Sequence, residues 1–336
     1  MRARVIGAGV MGLATALELA ERGVEVEIID RGAAMGGASC SWAAGGMLAP
    51  WCEVATAEPL VARLGERSID WWSRRFPGTV QRGTLVVAPP RDIGELSRFA
   101  SRTTRYEWVD PDGIAALEPD LAGRFQKALF FPEEAHLEPR RALPALAEAL
   151  RLKGIVVQYG VEAPAPATDV DIELDCRGFA ASEALPDLRG VKGEMVVIQS
   201  PDLSLSRPVR MLHPRIPLYV VPRGDGVFMI GATTIESEER GRVSVRSVLE
   251  LLNGAFALHP AFGEAAIMEI GTNVRPAFPD NLPRVRRRGR TLYVNGLYRH
   301  GFLLSPALAQ IAAEEVLNPT ITPEGGDADL LERQHA

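Results

Sequence analysis

The first 30 residues constrain the fold most, because they contain every part of a dinucleotide-binding βαβ unit. A strand-like run ends at Ile6, the glycine turn Gly7-Ala8-Gly9-Val10-Met11-Gly12 opens a helical pattern, and a second strand ends at Asp30. Gly7 permits the tight turn, Gly9 lets the backbone approach a pyrophosphate, and Gly12 lets the helix pack closely on the sheet. The helix N-terminus presents free N–H groups to phosphates. We expect Asp30 to accept hydrogen bonds from ribose hydroxyls. This unit does not distinguish NAD from FAD as the dinucleotide.

Length and charge narrow the class of protein further. The 336 residues are enough for two domains with separate cores. The 37 basic and 43 acidic residues give a net charge of −6, which argues against a nucleic-acid partner. The one basic run, at 284–290, is interpreted as a solvated loop between strands, and the alternative is a site for an anionic partner.

Cysteine usage and hydropathy bear on the compartment. Cys40, Cys52 and Cys176 have no metal-ligand spacing, and pairing any two leaves an odd thiol. This pattern is typical of a reduced, cytoplasmic protein without a metal site. No apolar run approaches the length of a membrane span, so we expect no membrane partner.

Patterning along the rest of the chain predicts a mixed α/β protein. Small residues at 31–50 would let the backbone lie against a flat ligand, and the stretch 190–235 is rich in β-formers. The helical patterns share apolar residues at helical spacing and cover 55–76, 139–152, 244–258 and a last helix that Ser305-Pro306 is expected to start. The tryptophans of the first pattern, Trp71 and Trp72, are predicted to lie in the core.

A second glycine-bracketed segment lies near the end of the chain, at 295–306. It predicts another strand–turn–helix, and a helix N-terminus stabilises negative charge such as that on the N1/C2-carbonyl edge of a reduced flavin. Upstream, Arg275 stands at a strand-like position before a proline-rich turn. An arginine can bind a substrate carboxylate as a planar bidentate fork, and the alternative is a surface salt bridge.

Together these segments resemble the D-amino acid oxidase superfamily of FAD enzymes, and within it the glycine oxidase branch, the ThiO-type enzymes of thiamine biosynthesis. The resemblance covers nearly the whole chain. The motifs that carry it are the opening fingerprint and the segments 43–48, 175–178, 218–223, 227–233, 274–276 and 298–306.

The resemblance implies a fold of class α/β, with a Rossmann-like FAD-binding domain of the GR2 type and a second, mostly antiparallel β-sheet domain for the substrate. The FAD-binding domain is assigned to 1–45, 137–185 and 286–330, and the substrate-binding domain to 46–136 and 186–285. The resemblance leaves open whether the chain forms a homo-oligomer.

The resemblance also implies roles for single residues. Arg275 would bind the substrate carboxylate, Tyr219 would hydrogen-bond the same substrate, and Arg299 would lie beside the flavin; these three form the predicted catalytic set. Val161 would contact the adenine end through its backbone. The predicted FAD-binding residues are Gly7, Gly9, Val10, Met11, Gly12, Asp30, Arg31, Ser39, Ser41, Ala44, Gly45, Met47, Val161, Gly178, Tyr298, Arg299, His300, Gly301, Phe302 and Leu303.

The implied chemistry is oxidation of glycine or another small amino acid. A deprotonated amine gives a hydride from Cα to flavin N5, and dioxygen reoxidises the flavin with formation of hydrogen peroxide. The alternatives are a D-amino acid, a sarcosine-like or a larger N-substituted substrate, and, from other classes, an NAD-dependent dehydrogenase or a non-catalytic redox sensor.

We expect FAD to be bound non-covalently. Sarcosine oxidase relatives attach flavin to a cysteine in the C-terminal half, and this chain has none after Cys176. Dimethylglycine dehydrogenase relatives use an N-terminal histidine, and none occurs before His136.

Overall fold

The computed structural model describes residues 1–36, 39–163, 169–213, 217–319 and Asp327. Within them the chain forms seventeen strands and nine α-helices. The strands are β1 Arg2–Ile6, β2 Glu25–Asp30, β3 Met47–Leu48, β4 Thr84–Val87, β5 Glu107–Val109, β6 Ala128–Phe131, β7 Ala135–His136, β8 Val157–Tyr159, β9 Ile172–Asp175, β10 Arg189–Gln199, β11 Val209–Met211, β12 Leu218–Gly224, β13 Val227–Gly231, β14 Ile235–Glu236, β15 Ala266–Ala277, β16 Arg284–Arg288 and β17 Thr291–Asn295.

The helices lie around and between these strands. They are α1 Val10–Glu21, α2 Pro50–Val54, α3 Pro59–Gly65, α4 Ser68–Arg75, α5 Gly94–Ala100, α6 Pro111–Leu117, α7 Pro139–Leu152, α8 Val245–Leu258 and α9 Gly301–Leu317. None of the helices in the described ranges is long and apolar enough to cross a membrane.

A six-stranded sheet carries the opening βαβ unit at its centre. Its order is β16-β17-β9-β1-β2-β8, and every neighbouring pair is parallel except β16 with β17. Because β1 lies between β2 and β9, the turn after Ile6 opens at the carboxyl edge of the sheet, where α/β proteins bind ligands. Helices α1, α7 and α9 bury their apolar residues in the core beside this sheet. The predicted Rossmann-like architecture is confirmed.

The second large sheet of the structure has nine strands. Its order is β14-β10-β13-β12-β11-β4-β6-β5, with β15 paired along β10. Every pairing is antiparallel except β11 with β4, which confirms a mostly antiparallel sheet. This sheet has its own apolar core, in which Phe228 and Phe262 pack edge to face at 5.2 Å. The domain limits assigned from the sequence stay a prediction.

The last helix begins five residues before the predicted start. Helix α9 starts at Gly301, so Pro306 lies inside it and Ser305 is not its cap. Proline lacks the N–H that would bond to the carbonyl four residues earlier, at Phe302. That carbonyl accepts a hydrogen bond from Trp72 Nε1 at 2.9 Å instead. Tryptophan from another helix therefore compensates for the proline, and both Trp71 and Trp72 are buried as predicted.

Two other expectations are wrong. The predicted single helix over 55–76 is divided into α3 and α4, with residues 55–58 outside any helix. The basic run at 284–290 is not a loop, because Arg284–Arg288 forms β16. Its arginines are paired rather than free: Arg286 contacts Asp187 and Asp327 at 3.0 and 2.7 Å.

Candidate functional site

The glycine turn after β1 has no room for side chains. Gly7 has φ +101°, and a Cβ there would lie 2.9 Å from the Cys176 carbonyl oxygen. A Cβ on Gly12 would lie 1.7 Å from the Gly7 carbonyl oxygen, so the first turn of α1 packs directly on the loop. Only glycine permits this approach of helix to strand.

The acid at the end of β2 holds the same turn. Asp30 Oδ2 accepts a hydrogen bond from the backbone N–H of Ala8, and Oδ1 accepts one from Gly32, both at 2.7 Å. At the start of α1, the Val10 N–H donates to Ser41 Oγ at 3.1 Å. Asp30 therefore has a role in the protein's own backbone that the sequence did not indicate, while its side chain still lines the cavity described next.

The first cavity is a channel of about 330 Å³ along the carboxyl edge of the six-stranded sheet. It reaches the N-terminal ends of both α1 and α9. The predicted residues that line it are Gly7, Gly9, Val10, Met11, Asp30, Arg31, Ser39, Ser41, Val161, Gly178, Tyr298 and Gly301.

A second, smaller cavity of about 110 Å³ lies between the two sheets. The predicted residues that line it are Val10, Ser41, Ala44, Gly45, Met47, Tyr219, Arg275, Tyr298, Arg299, His300, Gly301, Phe302 and Leu303. Residues common to both cavities, Val10, Cys40, Ser41, Asn273, Tyr298 and Gly301, join them into one site. Gly12 alone of the predicted residues lines neither cavity, in keeping with its packing contact.

Arg275 supplies an uncompensated positive charge to the second cavity. Its Nη1 donates to the Thr233 carbonyl oxygen at 3.0 Å, and no Asp or Glu carboxylate in the described part of the chain forms an ion pair with it. Burial lowers the pKa of Arg275 from its usual value. A guanidinium is still protonated at neutral pH, so an enclosed cation faces the cavity without a counter-ion from the described residues.

Tyr219 is held in place by two glycines. It lies opposite Gly231 on the neighbouring strand, where a Cβ would come within 2.7 Å of the tyrosine hydroxyl. On another side, a Cβ on Gly45 would lie 3.0 Å from Tyr219 Cε2. The ring is therefore packed against bare backbone at the wall of the cavity.

Sequence reasoning missed a buried charge cluster around Glu53. The Glu53 carboxylate lies 3.2 Å from Arg210 Nη1 and 3.5 Å from His300 Nδ1. Burial would raise the pKa of Glu53, but Arg210, Arg299 and His300 outweigh it and lower the pKa to about 2. Burial lowers the pKa of His300 to about 4. The nearby arginines lower this pKa further, whereas the Glu53 carboxylate raises it but does not outweigh them. At neutral pH this cluster holds an ionised carboxylate and a neutral imidazole.

The shape and the lining of the joined cavities fit FAD. The long channel ends at one side near Asp30 and Val161, and at the other it passes into the small cavity at Gly301. The backbone is bare at Gly9, where a Cβ would come within 3.2 Å of Ser39 Oγ. Two helix N-termini suit a pyrophosphate and an electron-rich ring edge respectively.

Comparison with known proteins agrees with this geometry. The profile of the family described as DAO, FAD dependent oxidoreductase, matches residues 2–315. The chain belongs to the DAO family of FAD-dependent oxidoreductases. Its membership decides between the two dinucleotides left open by the opening fingerprint, and the cofactor is FAD.

Members of the DAO family similar to this chain include glycine oxidases. A Rhizobium etli protein provisionally named thiamine biosynthesis oxidoreductase ThiO is 54% identical over 96% of this chain and 99% of its own length. The glycine oxidase of Bacillus licheniformis is 25% identical over 99% and 97%. The crystal structure of glycine oxidase from Geobacillus kaustophilus superposes with a TM-score of 0.79, at 25% identity, over 94% of this chain and 95% of that one.

This member of the DAO family is therefore an FAD-dependent oxidoreductase of the glycine oxidase/ThiO type, an amino acid oxidase in its enzyme class. The roles assigned to single residues stay predictions. Gly193, in β10, also lines the second cavity and was missed by sequence reasoning. It had a signal, because a glycine inside a strand often marks a close approach of another group. Glu53 had none, since the contacts that define it come from distant segments.

Proposed function

We propose that the enzyme oxidises glycine, or an amino acid of similar size, to the imine, which water converts to the 2-oxo acid and ammonia. The observation that carries this proposal is Arg275, a guanidinium with no carboxylate partner among the described residues, which lines the second cavity together with Tyr219. An unpaired guanidinium on the wall of a cavity is suited to bind the carboxylate of a ligand.

The substrate carboxylate would be bound by Arg275 from one side and by the Tyr219 hydroxyl from another. Both side chains line the second cavity, and both come from the nine-stranded sheet. Because Tyr219 is fixed by Gly45 and Gly231, the two groups are pre-organised rather than ordered on binding. This contact would orient the Cα–H bond of the substrate.

Proton transfer requires little from the protein. Neither side chain of the buried cluster is a strong base, since the pKa of Glu53 is lowered to about 2 and that of His300 to about 4. The amine would therefore lose its proton to water before the redox step. Bound FAD would supply the redox chemistry, as acceptor of the hydride from Cα and as donor of two electrons to dioxygen, which with two protons gives hydrogen peroxide.

We further propose that the product enters thiamine biosynthesis. The support is the name of the Rhizobium etli relative, which is similar to this chain over almost the full length of both. Formation of the thiazole part of thiamine is the step that the resemblance implies.

The test is turnover by the FAD-loaded enzyme with glycine, sarcosine and D-alanine. We expect oxygen uptake, hydrogen peroxide and the 2-oxo acid in equal amounts, with glycine giving the highest kcat/KM. Absence of oxygen uptake with all three substrates, while the flavin is bound, would overturn the proposal. A higher kcat/KM for sarcosine or D-alanine would replace glycine with that substrate.

A further inference from the structure

One arginine from the nine-stranded sheet reaches the first cavity, the FAD channel. Arg240 lies on the loop 237–244, which connects β14 with α8, and it lines this channel together with residues of the six-stranded sheet. Its guanidinium carbon lies 5.4 Å from the centroid of the Phe179 ring. Phe179 belongs to the short 3-10 turn Gly178–Ala181 that follows β9. The contact therefore joins a loop of one sheet to the carboxyl edge of the other.

The loop 237–244 is held in place by a buried lysine on β10. Lys192 Nζ donates to the Glu239 carboxylate and to the Arg242 carbonyl oxygen. These two acceptors stand on either side of Arg240 in the chain, and Lys192 itself is buried. The backbone that carries Arg240 is therefore fixed to the sheet at two points.

Arg240 differs from the other cations of the channel in having no acidic partner. Among the described residues, the cations that line the channel are Arg31, Arg177 and Arg240. Arg177 is paired with Asp175 and Glu183, each at 2.7 Å. Arg31 directly follows β2, at the end of the channel predicted to hold the adenosine. The Arg240 guanidinium makes no hydrogen bond or ion pair with any described residue, so its donors are available to a ligand.

The position of Arg240 along the channel is indicated by its effect on Cys40. Cys40 lines both cavities and lies where they join. Burial raises the pKa of Cys40, and the charges of Arg275 and Arg240 act against this rise. Arg275 lines the second cavity and Arg240 the first, so Arg240 lies on the channel side of the junction. The N-terminal end of α1, at Val10, lines the same junction and is the predicted site of the pyrophosphate.

We propose that Arg240 binds the diphosphate of FAD, so that the nine-stranded sheet contributes a residue to the cofactor site and the dinucleotide is held between the two sheets. The diphosphate carries two negative charges, and a planar guanidinium binds phosphate oxygens through two parallel hydrogen bonds. The glycine turn at 7–12 provides backbone N–H groups and a helix dipole but no cationic side chain. This inference concerns retention of the cofactor and does not depend on which amino acid is oxidised.

The test is the equilibrium dissociation of FAD from the purified holoenzyme, measured by ultrafiltration and by flavin fluorescence of the filtrate. In Arg240→Gln we expect the Kd for FAD to rise about tenfold at low salt and by a smaller factor at high salt. Arg242→Gln is the matched control, because this exposed arginine belongs to the same loop and lines neither cavity. It should keep the wild-type Kd. Equal Kd values for the two variants would overturn the proposal.

A second comparison identifies the diphosphate as the group that Arg240 contacts. ADP and adenosine, which differ by the diphosphate, are each used to displace FAD from the holoenzyme. We expect Arg240→Gln to weaken ADP by the same factor as FAD and to leave the affinity for adenosine unchanged. An equal loss for ADP and adenosine would show that Arg240 acts on the adenosine or on the fold, and the assignment would then be wrong.

Glu239 is the positioning residue in this account, and Glu239→Ala tests it. The change removes one acceptor of Lys192 and leaves Arg240 in the chain. We expect the Kd for FAD to rise by less than in Arg240→Gln, with no further rise in the double variant, because Glu239 acts through Arg240. Melting temperatures show that each variant is folded. Independent, multiplying effects of the two changes on Kd would contradict this role of Glu239.

Discussion

The guanidinium of Arg275 lies directly over the backbone of Gly193. A Cβ on Gly193 would be 2.2 Å from Arg275 Nη2 and 2.3 Å from its Cζ. The two residues belong to paired strands, with Gly193 opposite Asn273 and Arg275 two positions further along. The absence of a side chain on one strand therefore sets the position of the charged group on the other.

The first prediction follows from this contact. In Gly193→Ala the fold should survive, because the group that must move is the flexible end of Arg275 rather than backbone. Displacing the guanidinium should weaken substrate binding by about 2 kcal/mol, which is observed as a rise in KM for glycine of at least tenfold. Steady-state kinetics together with the melting temperature measure both effects.

Gly94→Ala is the matched control, since a Cβ there meets nothing within 4 Å. It should retain the wild-type KM. The same KM in Gly193→Ala and Gly94→Ala would show that the position of Arg275 does not depend on this contact.

The second prediction concerns Glu134, a buried carboxyl away from the joined cavities. Its Oε1 accepts the Cys52 backbone N–H at 2.7 Å, whereas Oε2 has no partner within the described residues. Burial raises the pKa of Glu134 from 4.5 to about 7. The folded state thus binds more protons than the unfolded state between these values, so stability should fall as the pH rises from about 4.5 to about 7.

Glu134→Gln should abolish that part of the pH dependence, because glutamine resembles the neutral acid. At about pH 8 the variant should be more stable than the wild type by up to about 3 kcal/mol, as measured by urea unfolding. Glu133→Gln, at the exposed neighbouring residue, is the control. If Glu134→Gln and this control show the same pH profile, the assignment of a buried neutral acid is wrong.

The third prediction concerns the proline in α9. Trp72→Phe removes the N–H that satisfies the Phe302 carbonyl, while Pro306→Ala provides a backbone N–H for the same oxygen. The cost of Trp72→Phe in the free energy of unfolding should therefore be about 1 kcal/mol smaller in the Pro306→Ala background. Urea unfolding of the four proteins gives this coupling, and strictly additive effects would refute the compensation.

The fourth prediction is that FAD dissociates when the protein is denatured. The cysteines that line the FAD channel are Cys40 and Cys176, and burial raises the pKa of both thiols, so neither is an effective nucleophile at neutral pH. After acid precipitation, the yellow colour should be in the supernatant. Colour retained by the washed precipitate would mean that the flavin is covalently attached.

The opening βαβ unit could be predicted from the sequence because its parts are adjacent in the chain. Gly7 and Gly12 act within one turn, and their spacing encodes their contacts. The residue pattern of α8 likewise encoded its start, since Ser244 caps it through the Ser247 N–H.

Features that depend on distant contacts could not be predicted in this way. The start of α9 at Gly301 is stabilised by Trp72, whose indole N–H donates to the Phe302 carbonyl, 230 positions further along the chain. The arginine run at 284–290 resembles a solvated loop until its acidic partners, such as Asp187, are placed beside it. The charge cluster around Glu53 is similar, because Arg210 and His300 come from separate parts of the chain.

The fifth prediction tests the central claim, that Arg275 recognises the carboxylate of an amino acid oxidised at the bound flavin. The measurement is anaerobic titration of the FAD-loaded enzyme with glycine and with glycinamide, followed by flavin absorbance at about 450 nm. Glycine should bleach the wild-type flavin, glycinamide should not at the same concentration, and Arg275→Gln should lose this discrimination. Equal bleaching by the two compounds, or no bleaching by glycine, would contradict the account.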